Sequence, residues 1–426
     1  MTAFKLCAPA RVGMAGSFDA LGDVEALAPV PEPFEVMSNG VWTWFNYPEA
    51  VRVGDNLYVG SISSAGAVQV TQRHLDTAAT TTFSLATGFE IDDHNNPSLA
   101  ELPSGRLAAF FAAHPDTRLR MRVQTTAGDN TAWSTTQELD FGMVDYYYPC
   151  PVILSQDTTQ QILFFRGRNG SGGYDLCYAI SSNFAAGPAV FGSAVRLATN
   201  GAQRPYWVMR SNGVDRVDFL MSEGNPSEIN GGVWHFYAKL DGSNVLRFYT
   251  TNGVEITGSL PHDMTTKFTR VDPTPTDRKH WVWDITIGTD GQPWALWTRF
   301  ATNAGTDHRQ WFSRWNGSAW TGAEIVASGG GLYDPEVYYS PGSGFDRLDP
   351  TRIYLGRFIS GLTQIERYTV GSGTTVTLVE QITSGTTGVR ARPVSPENAD
   401  SRCRVLWWDG TYTTYTSFST SIKGRA

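Results

Sequence analysis

The chain has 426 residues, with 33 basic against 41 acidic side chains and a net charge of −8. That balance, with no long basic run, argues against nonspecific nucleic-acid binding, and no apolar run is long enough to cross a membrane as a helix. Aromatic residues at 12%, with 43 Gly and 22 Pro, favour strands and tight turns, and no long stretch has helical periodicity.

In chain order, residues 1–40 read as a lead-in. Its start, Met1 to Ala8, lacks the continuous apolar core of a secretory signal, so the chain either is not exported by that route or has lost its signal. The four cysteines (Cys7, Cys150, Cys177, Cys403) have no C-x-x-C spacing, so a zinc knuckle is not expected. Cys150 and Cys177 read as buried thiols rather than as a pair.

From residue 41 a phrase recurs: an aromatic or polar residue, Pro, a short apolar run, a turn and a second run. It begins at Tyr47-Pro48, Asn96-Pro97, Tyr148-Pro149, Arg204-Pro205, Asp334-Pro335 and Arg392-Pro393, and a unit without its proline starts near Trp283. The first spacings are 97 − 48 = 49, 149 − 97 = 52 and 205 − 149 = 56. Seven units result, each with about four short strands; the first is predicted at Ala50–Val53, Leu57–Ser61, Val68–Arg73 and Thr81–Leu85. A period near fifty with four strands per unit predicts an all-β fold, a seven-bladed β-propeller of four-stranded antiparallel blades over 41–426. The last unit is short, and the lead-in is expected to supply its outer strand and close the ring.

The second unit holds the candidate site. Folding Leu99–Ala113 about Ser104 places His94 and His114 opposite each other, since 104 − 94 = 10 and 114 − 104 = 10. Folding the third unit about Asp157 likewise places Tyr148 opposite Arg166, 157 − 148 = 9 and 166 − 157 = 9. Arg204 takes the same position in the fourth unit, and His235 is expected to start that unit's third strand at the same mouth. Arginine grips a carboxylate with two prongs. A tyrosine beside a cation can have its pKa lowered, and a neutral histidine takes a proton near pH 7. Together these groups suit β-elimination on a uronic acid.

The phrases Asp92-Asp93-His94-Asn95-Asn96-Pro97, Tyr148-Pro149-Cys150-Pro151, Phe164-Phe165-Arg166-Gly167-Arg168-Asn169 and Gly231-Gly232-Val233-Trp234-His235-Phe236-Tyr237 resemble the BNR-repeat seven-bladed propeller family, which includes ulvan lyases and related rhamnose–glucuronate-active enzymes. The resemblance implies His94 and Tyr148 as base and acid. It implies His114 and Arg166 as holders of the uronate carboxylate, and His235 as a further histidine lining the site. Arg168, in the same phrase as Arg166, and Arg204 are added as substrate contacts. Two features depart from the family: Cys150 stands where glutamine is more usual, and the Asp-box turn survives only as a remnant at Ser181-Ser182-Asn183-Phe184.

The function expected is a polysaccharide lyase acting on an acidic polysaccharide, with no cofactor required. A calcium or other structural ion in the channel is left open, with no ligand set legible. Two alternatives stand beside it. One is a non-catalytic glycan-binding or structural propeller, within a larger assembly if virion-associated. The other is an exo-acting rhamnose–glucuronate glycosidase, for which Asp92, Asp93, Glu223 and Asp334 are the candidate carboxylates. An extracellular or virion-surface location is favoured. Elsewhere, Arg118, Arg120 and Arg122 read as a solvated strand face, Asp215, Arg216 and Asp218 as surface positions, Ser328 to Gly331 as a plain loop, and Trp294, Trp297, Trp311, Trp315 and Trp320 mostly as packing between blades.

Overall fold

Strand pairing in the computed structural model follows the repeat. The structure describes residues 32–168, 170, 172–181, 189–272, 278–300 and 306–426. Most of the lead-in, Cys7 included, Asn169 and residues 182–184 of the Asp-box remnant lie outside these. Among the described residues, seven antiparallel sheets form a seven-bladed propeller. The first blade is Ala50–Val53, Asn56–Ile62, Val68–His74 and Thr80–Ala86, paired in that order. The seventh is Val389–Val394, Val405–Thr414 and Ser417–Arg425, with Phe34–Met37 added antiparallel at its outer edge. The last blade therefore takes its fourth strand from the start of the chain.

The inner strands read as continuous apolar runs because both their faces are covered by neighbouring blades. Leu107–Phe111 is buried throughout, and Asn56–Ile62 is buried from Leu57 on. Consecutive blades approach so closely that a Cβ on Gly60 would lie 2.4 Å from the Pro97 carbonyl oxygen, which only glycine avoids. Of the fifth-blade tryptophans expected to pack between blades, Trp320 does so by donating to Thr251 of the fourth blade, whereas Trp297 stacks on Trp311 within its own blade.

Several expectations are corrected. The sixth blade begins at Ser343–Phe345, so its phrase is Ser340-Pro341 and not Asp334-Pro335, which sits in the preceding loop. The spacing to the last unit is then 393 − 341 = 52, as regular as the early ones. Asp218 is not a surface residue; it is buried and binds Arg216 and His235. Arg118 and Arg120 are ion-paired to Asp140 and Asp116, while Arg122 caps the Leu85 and Ser134 carbonyls and lies over Phe83. Cys150 and Cys177 are, as expected, free buried thiols, and Cys403 is a third.

Residues 41–47, between the closing strand and the first blade, have no counterpart in the repeat. The Trp44 indole donates to the Val282 carbonyl at 3.0 Å and lies 4.2 Å from Trp283. Phe45 packs on Tyr148, Tyr206 and Trp281. One short segment thus touches the inner strands of the third, fourth and fifth blades and fills the centre of the ring.

Candidate functional site

That central segment also anchors the D-D-H-N-N phrase. The Asn46 amide donates to the carbonyls of His94 (2.6 Å) and Asn96 (2.9 Å), and the Thr43 N–H donates to the Asn96 side chain at 3.0 Å. Asp93–Asn95 forms one 3₁₀ turn, capped by Asp92, whose Oδ1 accepts the His94 N–H at 2.8 Å. The turn points His94 inward, where its ring stacks on His114 with centroids 4.2 Å apart and planes 10° from parallel. Hairpin pairing explains the meeting: Ser98 pairs with Phe110, and 98 + 110 = 94 + 114.

One carboxylate serves both rings. His94 Nδ1 is 2.6 Å from Asp92 Oδ1 and 3.0 Å from Asp93 Oδ1, whereas His114 Nδ1 is 3.2 Å from Asp92 Oδ2. Burial disfavours charge on His94, but the Asp92 and Asp93 carboxylates outweigh it and push its pKa up to about 10. Burial and the charge on His94 act together on His114 and hold it down to about 4, against a weaker pull from Asp92. Asp92 stays ionised because the two histidines outweigh its burial. At neutral pH the pair is therefore one imidazolium and one neutral imidazole. With its Nδ1–H on Asp92, His114 turns its Nε2 lone pair to the Tyr148 hydroxyl at 3.2 Å; His94 Nε2 faces the Tyr339 hydroxyl, also at 3.2 Å. Asp93 is held from behind by Arg392 at 2.6 Å and by the Tyr412 hydroxyl.

Asp92, His94 and His114 are also the described residues that come nearest to a metal-binding set. Their geometry is that of hydrogen bonds.

Arg166 lies two residues before the end of the second strand of the next blade, Asp157–Arg168, and is 1% exposed. Its guanidinium lies over the rings of Tyr147, Tyr148, Tyr174 and Tyr206, 4.3–5.2 Å from their centroids. Tyr148 has φ +52° and sits in a bulge of Asp145–Leu154, so Arg166 pairs across from Tyr147 and not from Tyr148. Burial raises the Tyr148 pKa well above the usual phenol range despite Arg166, so the expectation of a lowered pKa there does not hold.

The family model for BNR repeat-containing family members matches residues 56–328, well over half of the chain. The chain belongs to that family. Among solved structures, this BNR-repeat chain is similar to a PL25 ulvan lyase described as bound to -[GlcA(1-4)Rha3S]-, with a TM-score of 0.70 at 13% identity, covering 92% of this chain and 95% of that one. It is also similar to the polysaccharide lyase Uly1, with a TM-score of 0.54 at 12% identity, covering 92% and 96%. At such identities the likeness establishes the fold. Comparison with curated proteins finds no match.

Of the residues singled out in the sequence, the BNR-repeat fold brings together His94, His114, Tyr148 and Arg166. Arg204 stands at the edge of the tyrosine cluster, paired with Glu228, and Arg168 is paired with Asp145. His235 is not in the cluster. It is wholly buried in Val233–Leu240, with Nδ1 on Thr251 (2.7 Å), Nε2 on Asp218 (3.0 Å) and its ring against Trp320. Glu223 is held by the Gly232 N–H and the Trp234 indole. The sequence reading missed Tyr206, Tyr339 and Arg392. Each sits beside or within a phrase proline motif (Pro205, Pro341, Pro393), a position the repeat itself directs to this face.

Proposed function

We propose that the protein is a polysaccharide lyase that cleaves an acidic polysaccharide at a uronic acid by β-elimination. The observation that carries this reading is the shared Asp92 carboxylate, which leaves one of two stacked histidines charged and the other neutral with its lone pair on a tyrosine hydroxyl. In this reading the base is His114 rather than His94, because His94 already holds its proton. Tyr148 takes the C5 proton while its own passes to His114 Nε2. The C5–H electrons form the C4=C5 bond, the C4–O bond breaks, and the leaving oxygen takes a proton back from the Tyr148–His114 pair. His94 and Arg166 supply positive charge for the substrate carboxylate. No cofactor is invoked. The fold shared with ulvan lyases, one of them described with a glucuronate–rhamnose sulfate chain, supports the substrate class.

The test is to mix the protein with ulvan and a panel of other uronate polysaccharides and follow the ultraviolet absorbance of unsaturated uronate. A rise that His114→Gln and Tyr148→Phe abolish is the expected result. A flat trace across the panel, with the glycan retained on the protein, overturns it in favour of a non-catalytic glycan-binding propeller. That second reading draws on the depth of the cluster: His94 is 4% and Tyr148 3% exposed. An exo-glycosidase is less well supported, since Asp92 and Asp93 are both taken up by histidine and arginine.

A further inference from the structure

His94 has both ring nitrogens occupied. Its Nδ1 lies 2.6 Å from Asp92 and 3.0 Å from Asp93, and its Nε2 lies 3.2 Å from the Tyr339 hydroxyl. The charge on this ring therefore does not meet a ligand directly. Ionised carboxylates only accept, so Nδ1 carries a hydrogen. Charge balance supplies the hydrogen on Nε2. Arg392 answers Asp93, whereas the ion pairs of Asp92 among the described residues are with the two histidines alone. A buried anion without a cation is costly, so one imidazole is charged. His94 is that one: it lies between two carboxylates, and its side chain is 2% exposed against 24% for His114. His94 Nε2–H then donates to the Tyr339 oxygen, and nothing among the described residues accepts the Tyr339 proton.

We infer that Tyr339 is a substrate-binding hydroxyl, the donor through which His94 acts on the carboxylate of a bound uronate. This role rests on the uronate reading above. Both histidines point Nδ1 at Asp92, and their rings lie 10° from parallel. Both Nε2 edges therefore turn away from Asp92, one to Tyr148 and the other to Tyr339. The two hydroxyls have opposite polarity. Tyr148 gives its hydrogen to neutral His114 and presents an oxygen that can accept. Tyr339 takes a hydrogen from His94 and presents a proton. The first suits removal of the C5 proton, and the second suits the negative charge that gathers on the uronate carboxylate as that proton leaves. Tyr339 is 8% exposed against 3% for Tyr148. Its ring is held edge-on by Trp44 and near-parallel to Tyr415, with the Arg392 guanidinium 5.7 Å from its centroid. Burial keeps this phenol protonated, as a donor must be.

Two measurements test this role. Nitrogen NMR of isotope-labelled histidine rings in the wild-type protein needs no substrate. At neutral pH, His94, assigned through its backbone, should carry hydrogen on both nitrogens. A bare Nε2 on His94 overturns the inference whatever the glycan does, because Tyr339 then donates to His94; this arm also decides the matter should Tyr339→Phe not fold. The second compares Tyr339→Phe with wild type on ulvan and on carboxyl-reduced ulvan. If wild type cleaves ulvan, the variant should lose about 10²–10³-fold in kcat with an unfolding midpoint near wild type. If wild type retains ulvan without cleaving it, the lyase reading ends, and Tyr339 is still tested: the variant should bind ulvan about tenfold more weakly. Carboxyl-reduced ulvan should show no difference between the two forms. Equal kcat and affinity on ulvan, or the same loss on the carboxyl-reduced chain, overturns the inference.

Discussion

Replacing Asp92 with asparagine tests the shared carboxylate directly. Asparagine keeps an oxygen to cap the His94 N–H, so the 3₁₀ turn retains its cap and only the charge is lost. A histidine that holds its proton to about pH 10 instead of the ordinary 6.5 carries on the order of 5 kcal/mol of extra attraction for the charged form. Two carboxylates provide it, and Asp92 is the nearer, at 2.6 Å against 3.0 Å for Asp93. Asp92→Asn should therefore cost about 2–3 kcal/mol at pH 7. The sign follows from which state binds the proton more tightly. On His94 that is the folded state, so the stabilisation is complete below pH 6.5 and disappears as pH rises through about 10. His114 behaves in the opposite way. Its folded form resists the proton, so stability is lost as pH falls from 6.5 through about 4. Urea unfolding from pH 5 to 10 reads both limbs. In Asp92→Asn the alkaline loss should begin at lower pH and the midpoint should fall at pH 7. A variant within about 0.5 kcal/mol of wild type over the whole range would refute the shared-carboxylate account.

His114→Gln and Tyr148→Phe should each lower turnover on a cleaved polysaccharide by about 10²–10⁴-fold with unfolding midpoints near wild type; a loss of stability matching the loss of rate would assign both to structure. Because His114 stays neutral down to about pH 4, the acid limb of kcat should fall near there and not near 6.5; a limb at 6.5 measured in the stable pH range would remove His114 as the base. Arg392→Met removes the guanidinium from Asp93 and leaves it only the Tyr412 hydroxyl and the His94 ring it shares with Asp92, and unfolding experiments should show a loss of about 3–5 kcal/mol. Trp44→Ala opens a cavity at the centre of the ring and should cost about 3–5 kcal/mol in the same assay.

Features carried by local repetition were legible in the sequence. Blade number, the strands of the first blade and the closing role of the lead-in follow from spacing and turn residues, and the His94–His114 contact follows from counting outward from one tight turn. Counting failed where the backbone departs from regular pairing. The left-handed Tyr148 inserts a bulge, so Arg166 lands opposite Tyr147. His235 shows a second limit. Placing it on the correct strand did not decide which face it occupies, and the strand turns it into the layer shared with Trp320. The filling of the ring by residues 41–47 was not legible at all, because contacts such as Trp44 with Val282 bridge 238 positions and leave no local pattern.

Closure of the ring bears on how the molecule assembles. Phe34 pairs with Gly424, a separation of 424 − 34 = 390 residues. For a free chain, bringing such distant ends together costs on the order of 5 kcal/mol in loop entropy. With six blades docked first, most of that distance would already be spanned, and closing the seam would cost little further entropy. The same logic makes it the first place to open. Proteolysis and hydrogen exchange should reach Phe34–Met37 and Ser417–Arg425 before the interior strands, and an early-folding core of blades should wait for its clasp on the slow timescale set by these non-local contacts.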